Sequence, residues 1–258
     1  MNRKPADWGG NVVSFLVVIA VNAMANGLPL GGQTTGEISD KYPSLFTPAG
    51  YVFSIWGLIY LGLALFVVWQ ALPAQRANPR LSAMRIPFVV SCACNAGWIF
   101  AWHYDLLWLS MLLMLGLLGS LVHVYRAVRI GPPAPVRERL LLQLPFSLYL
   151  SWISVASIAN LSALQINHGW DAVWFDAVSW TLIKIAFAGA IAVTVLFRAR
   201  DTAFMLVTVW ALVGIALKHS AIPMLAGASA VVAGLGLLLV ASEWLFRTSF
   251  RSLFRSKS

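Results

Sequence analysis

Acidic residues are scarce in this chain. Nine Asp and Glu stand among 258 positions, and charged residues of both signs make up only 10%. A soluble domain of this length carries far more charge, so a water-facing globular fold is excluded. Cysteine is almost absent: Cys92 and Cys94 are the only two, spaced so that one helix points them to nearly opposite sides. They cannot pair with each other or make a metal site alone. Also lacking are a Gly-rich phosphate loop, an HExxH pair, a nucleophile elbow and paired carboxylates inside an apolar run. Hydrolysis and phosphoryl transfer therefore have no visible constellation, and an enzymatic role is not expected.

What is abundant is apolar surface. Hydrophobic residues reach 60%, with 12 Trp, and the mean hydropathy is +0.79. Eight runs are apolar enough to cross a hydrocarbon core of about 30 Å. They lie near Val12–Leu28, Ala49–Leu72, Ile86–Trp102, Leu106–Val128, Leu140–Leu164, Val173–Phe197, Ala203–Leu217 and Ile222–Phe246. The expected fold class is all-α: a polytopic integral membrane bundle of about eight transmembrane helices. The first run is read as a retained helix, because "PLGGQ" offers no convincing signal-peptidase site.

Basic residues set the orientation. Fifteen of the 18 Lys and Arg fall on one side of an eight-span chain, including Arg3 and Lys4, Arg76, Arg80 and Arg85, Arg126 to Arg139, Arg198 and Arg200, and the tail to Lys257. The positive-inside rule then makes both termini cytoplasmic. This asymmetry accounts for the net charge of +9 without a nucleic-acid partner, which dispersed charges over short loops do not favour. The expected partner is the lipid bilayer, and the expected location is a bacterial inner membrane.

One outer loop stands out. "PLGGQTTGEISDKYPSLFTP", Pro29 to Pro48, is long among tight turns, as a lid would be. Immediately after it, Trp56 and Tyr60 stand four apart and share one helix face. Trp8, Trp69 and Trp244 fall near the basic boundary, and Trp102, Trp108, Trp170 and Trp174 near the outer one, where an aromatic belt belongs. Trp56, Trp98, Trp152, Trp180 and Trp210 are left at membrane depth, where each N–H needs a partner or a cavity.

Asn95 shares a face with Trp98, and Asn160 shares one with Trp152. A buried Asn commonly bonds a neighbouring helix, so brace and pocket wall are both open readings for the two asparagines. Lys184 is the one strong charge near mid-membrane, expected either to face a wet cavity with an anionic ligand or to brace carbonyls. His103, His168 and His219 share the outer level but lack a metal-binding spacing, so no metal site is expected. Glycines such as Gly116, Gly119, Gly227, Gly234 and Gly236 would allow close helix contact, and a homodimer is one arrangement they permit.

These residues resemble the translocator protein family, the tryptophan-rich sensory proteins or TspO. "TPAGYVFSIWGLIY", with Pro48, Trp56 and Tyr60, is similar to the start of that family's second helix. "NAGW", Asn95 to Trp98, resembles its third-helix Asn-x2-Trp, and "YLSWISVASIAN", with Tyr149, Trp152 and Asn160, resembles its fifth-helix Tyr-x2-Trp-x7-Asn. The resemblance covers roughly residues 11 to 168. It implies a five-helix bundle over residues 1–168 enclosing a pocket for tetrapyrroles, sterols or other flat hydrophobic molecules; the apolar runs of residues 169–258 depart from that pattern and are read as a three-helix extension and basic tail. Thr47 stands where the first proline of a pair is expected, and Gly31 to Thr47 contains no Trp.

The function expected is binding and sensing of a hydrophobic small molecule such as a porphyrin, with no cofactor required. The candidate ligand-binding residues are Pro48, Trp56, Tyr60, Asn95, Trp98, Tyr149, Trp152, Asn160 and Lys184. The alternative is a transporter of a small hydrophobic metabolite, which would favour helices broken at mid-membrane. Here the prolines within spans, Pro87 and Pro145, sit near helix starts.

Overall fold

In a computed structural model, the structure describes residues 4–28, 30–170 and 173–255. Arg3, Lys257 and Pro29, named above in the orientation and loop readings, lie outside them. The described residues form one all-helical bundle: α1 (Pro5–Gly27), the short α2 (Thr35–Lys41), α3 (Ile55–Ala71), α4 (Pro79–His103), α5 (Leu107–Ala127), α6 (Leu144–Asn167), α7 (Ala177–Ala199), α8 (Thr202–Lys218) and α9 (Pro223–Arg255). Seven segments are long and apolar enough to cross a membrane, and α8, at 17 residues, is a shorter apolar helix. The chain is thus an integral, multi-pass membrane protein.

The helices begin and end where their chemistry dictates. α1 starts seven residues before the expected apolar run, because Pro5 at its first position needs no hydrogen-bond acceptor and Asp7 supports the first turn. Its polar Asn11 stays in the membrane by donating to the Gln70 side chain at 3.2 Å. α4 likewise starts early, at Pro79, capped by Asn78. Ahead of α6 the backbone runs through a π-helical turn, Arg139–Gln143.

α4 and α5 form a tight hairpin, with α1, α3 and α6 completing the first five spans. α8 packs on α6, and α9 covers α7 and α8, so the last three helices lie directly against the first five. α3 and α6 touch closely at Gly62, where an added Cβ would lie 3.2 Å from Pro145. Below the middle of the bundle Phe66, Phe88 and Phe146, all fully buried, meet edge to face with centroids 5.0 to 5.8 Å apart. Arg85 pairs with Asp7, Arg80 with Glu138 and Arg129 with Asp201 at the basic end, whereas Lys41–Asp105 and Lys218–Asp40 lie at the opposite end. Charges at both ends and none of these pairs at mid-depth is the arrangement a bilayer requires.

An aromatic chamber under a helical lid

The loop expected to act as a lid folds into α2. Thr34 caps it, accepting from Glu37 N–H at 3.3 Å while the Glu37 carboxylate accepts from Thr34 N–H at 2.7 Å. This reciprocal box starts a helix too short to stand alone. Its underside, Ile38, is buried at 1% exposure, so the segment sits on the bundle.

Under the lid lie two adjoining chambers. The first, about 40 Å³, is walled by Pro48, Phe53, Trp56, Trp98, Trp102 and Trp152, with Thr35 and Ser39 above and Asn160 to one side. The second, about 300 Å³, extends toward α1, where Asn22 and Asn26 join Tyr60 and Trp56. Thr35, Phe53, Trp56 and Trp98 line both and form the partition. Trp56 stacks on Tyr60 with centroids 5.2 Å apart and meets Tyr149 and Trp152 edge-on. Trp98 stacks on Trp102 at 6.0 Å.

Six of the nine residues expected at the site therefore line the chambers: Pro48, Trp56, Tyr60, Trp98, Trp152 and Asn160. Asn95 and Tyr149 stand behind them. Asn95 accepts from Asn22 at 2.8 Å and donates to the Tyr149 hydroxyl at 2.9 Å, tying α1, α4 and α6 together. For Asn95, the reading as a helix brace is the one the geometry favours. Lys184, for which a wet cavity and a brace were both open readings, lies away from these two chambers. It sits half-buried on α7, a helix whose main neighbours are α8 and α9, and it lines neither chamber.

Asn160 carries the clearest chemistry. Its Oδ1 accepts from Trp98 Nε1 at 2.9 Å and from Ser110 Oγ at 2.7 Å. An indole N–H can only donate, so the amide orientation is fixed and Nδ2 is the amide atom left over. That Nδ2, Trp152 Nε1 and Thr35 Oγ1 are buried polar atoms with no hydrogen-bond partner among the described residues. Three such groups on residues that line one apolar space are costly unless something accepts from them.

Trp102 and Trp69 also need correcting. Both were expected in interfacial belts, yet they are buried at 5% and 3% exposure. Trp102 donates to the Thr35 carbonyl at 3.2 Å and so holds the lid. Its spacing of four from Trp98 was the signal that outweighed its apparent depth. Trp108 and Trp174 remain exposed, as belt residues should. Phe53 and Thr35 gave no sequence signal, because a 3-10 turn and a lid have no apolar period.

The last three helices reach the chamber as well. The 3-10 turn Gly50–Ser54 leads into α3 and carries Phe53. On α8, Trp210 Nε1 donates to the Val52 carbonyl at 3.1 Å, and Ala49 N–H donates to the Gly214 carbonyl at 3.2 Å. At the lid, Lys218 meets Asp40 at 2.9 Å, and His219 Nε2 contacts the Thr47 carbonyl at 3.2 Å. Burial pushes the His219 pKa down, with Lys218 adding to the effect and the Thr47 carbonyl opposing it.

A second tether closes the lid. Asp105, in the α4–α5 turn, accepts from Lys41 Nζ at 2.5 Å and from the Tyr42 hydroxyl at 2.8 Å. Burial alone would raise the Asp105 pKa, but hydrogen bonds from Lys41 and Tyr42 outweigh it and hold the carboxyl below its ordinary 3.8. Burial, then the bond to Asp105, pushes Tyr42 from 10.0 up to about 12. The carboxylate's contribution is present above 3.8 and lost as pH falls through the lower folded value; the phenol's is present below 10.0 and lost as pH rises through about 12. This tether is therefore expected to add no pH dependence to the hydrogen-exchange protection of residues 35–42 between those limits, any decline on the acid side of the ordinary histidine range coming from His219. Asp105→Asn should lower that protection by a few-fold, and equal protection in wild type and variant would show that this tether does not hold the lid.

Residues 8–242 match the family model described as TSPO-like protein. That match reaches into all eight spans, extending well beyond the motifs on the second, third and fifth. No curated protein and no solved structure matches the chain. With nine-tenths of its length matched and its aromatic motifs gathered around one lidded chamber, the chain belongs to the TSPO-like protein family.

Proposed function

We propose that the protein binds and senses a flat hydrophobic molecule carrying hydrogen-bond acceptors, a tetrapyrrole being the expected example. The observation that carries this reading is the chamber itself: Trp and Phe walls on which the Asn160, Trp152 and Thr35 side chains keep donors with no partner among the described residues. A planar π-system stacks on such walls, and its carboxylate or carbonyl groups would meet the donors. Ligand sites usually occupy about 300–1,000 Å³. The chambers of about 40 and 300 Å³ stand, even joined, at the lower edge of that range. A tetrapyrrole would therefore enter by displacing the Phe53 and Trp56 partition and lifting α2.

Binding is favoured over transport because the Phe66–Phe88–Phe146 cluster closes the bundle on the basic side of the chamber. No catalytic step is needed. The bacterial inner membrane is inferred from the basic asymmetry alone.

The test is a titration of the detergent-purified chain with protoporphyrin, read by tryptophan fluorescence. Wild type should quench saturably, and Trp56→Phe and Trp152→Phe should each weaken binding about tenfold, equivalent to about 1.4 kcal/mol. Linear quenching untouched by either change would overturn the tetrapyrrole reading.

A further inference from the structure

His168 closes α6 at the lid end of the bundle, with both of its ring nitrogens in hydrogen bonds. Nδ1 lies 2.9 Å from the Leu164 carbonyl oxygen, and Nε2 lies 3.1 Å from Nε1 of Trp108 at the start of α5. A carbonyl oxygen can only accept and an indole N–H can only donate, so the two partners fix the state of the ring. Nδ1 carries the proton and donates to Leu164, Nε2 is bare and accepts from Trp108, and the imidazole is neutral. A protonated imidazole has an N–H at each nitrogen. One proton taken up at Nε2 would therefore set two donors against each other and break the link to Trp108.

The charged ring has another partner close by. His168 and Trp170 stand 5.1 Å apart between centroids with their planes at 37°, and Trp170 meets Trp108 edge-on at 5.6 Å. The Trp170 backbone N–H donates to the Gln165 carbonyl at 2.8 Å, which holds this indole beside the end of α6. A cation within about 6 Å of an indole centroid is attracted to the ring. The neutral imidazole thus favours Trp108, and the imidazolium favours Trp170. Trp108 is 57% exposed, so protons from the medium reach the pair and the indole can turn away without repacking the core.

The Trp108–His168 bond crosses the seam between α5 and α6. Deeper on the same seam, Asn160 of α6 accepts from Ser110 of α5 at 2.7 Å, and Asn160 walls the first chamber. Neither helix brings a competing charge to this end: α6 has no charged residue, and α5 has none before Arg126. Around them, Asp105 is held by Lys41 and Tyr42, Asp40 by Lys218, and Asp176 by the Ser179 N–H, while His103 and His219 contact the Ile99 and Thr47 carbonyls. Tyr104 lies in the α4–α5 turn, and Asp171 lies outside the described residues.

We propose that His168 is a pH-operated clasp on the α5–α6 seam. It is closed while the imidazole is neutral and opens as the medium on the lid side acidifies through the histidine range, roughly pH 5–8. The proposal does not depend on which ligand the chamber takes.

Two measurements on the full chain in detergent test it. The first follows the Trp108 indole N–H by nuclear magnetic resonance, its signal assigned by its loss in Trp108→Phe. That signal should move with pH through one midpoint between about 5 and 8 in wild type, and should stay fixed in His168→Phe, which keeps a flat ring without nitrogens. The second is hydrogen exchange over residues 107–111, with wild type and His168→Phe compared at the same pH so that the intrinsic exchange rate cancels. Wild type should be about fivefold better protected at the alkaline end of the range, as one modest hydrogen bond allows, and no better protected at the acid end. A Trp108 signal indifferent to pH, or a difference between the two chains that does not change with pH, would overturn the clasp and reduce His168 to a structural cap on α6.

Discussion

Gly214→Ala is expected to weaken protoporphyrin binding about tenfold and to lower the thermal unfolding midpoint by several degrees. The added Cβ would stand 2.2 Å from Val52 Cγ2 and 3.2 Å from Pro48 Cβ, so α8 and the 3-10 turn cannot both stay in place. Val52 is β-branched and has little rotamer freedom with which to yield. Overpacking of this kind costs about 1–3 kcal/mol. Helix propensity alone predicts the opposite sign, because alanine is favoured over glycine by about 1 kcal/mol within a helix. A stabilised variant with unchanged binding would thus show that the contact does not govern the chamber. Adding Val52→Ala should restore most of both properties, since it removes the atom that collides. Separation of the two segments would also stretch the Trp210–Val52 and Ala49–Gly214 hydrogen bonds, which fix the turn that carries Phe53.

The second large effect is expected at Asn160. Replacing it with alanine removes the acceptor of two buried donors, Trp98 Nε1 and Ser110 Oγ, and loosens the junction of α4, α5 and α6. Each donor left unpaired costs about 1–3 kcal/mol, giving a loss of roughly 2–5 kcal/mol with some relief from local rearrangement. Trp152→Phe supplies the contrast. Its indole N–H has no partner among the described residues, so that change should leave stability nearly untouched while weakening ligand binding. Equal unfolding midpoints for Asn160→Ala and wild type would show that the amide does not join these helices.

Much of the fold was readable because lipid imposes length and polarity on every span. The eight apolar runs correspond to eight helices, and the errors lie at the ends, as in α1, where Gly9, Gly10 and Asn11 hide a first turn that Pro5 and Asp7 initiate. At the site, Trp56, Tyr60, Trp98, Trp152 and Asn160 were readable because helical periodicity places them on shared faces. That periodicity says nothing about what faces Val52 from 158 positions away. It also cannot place Lys184, since a charge inside an apolar run marks a helix that must satisfy it without saying against which neighbour. Depth misled for Trp102, where the face it shares with Trp98 was the better guide.

The contacts of α8 also set an order of assembly. Membrane helices enter the bilayer as synthesis proceeds, and the first five spans are complete by Asn167, before Trp210, Gly214 and Lys218 exist. The partners that hold the Gly50–Ser54 turn and the α2 lid arrive 158 to 178 residues after the segments they secure. A nascent chain therefore carries, through about a fifth of its synthesis, an aromatic cavity whose lid is held by Trp102 and Asp105 alone and whose Gly50–Ser54 turn is unclamped, and the pocket acquires its final shape only when the penultimate span has entered the membrane.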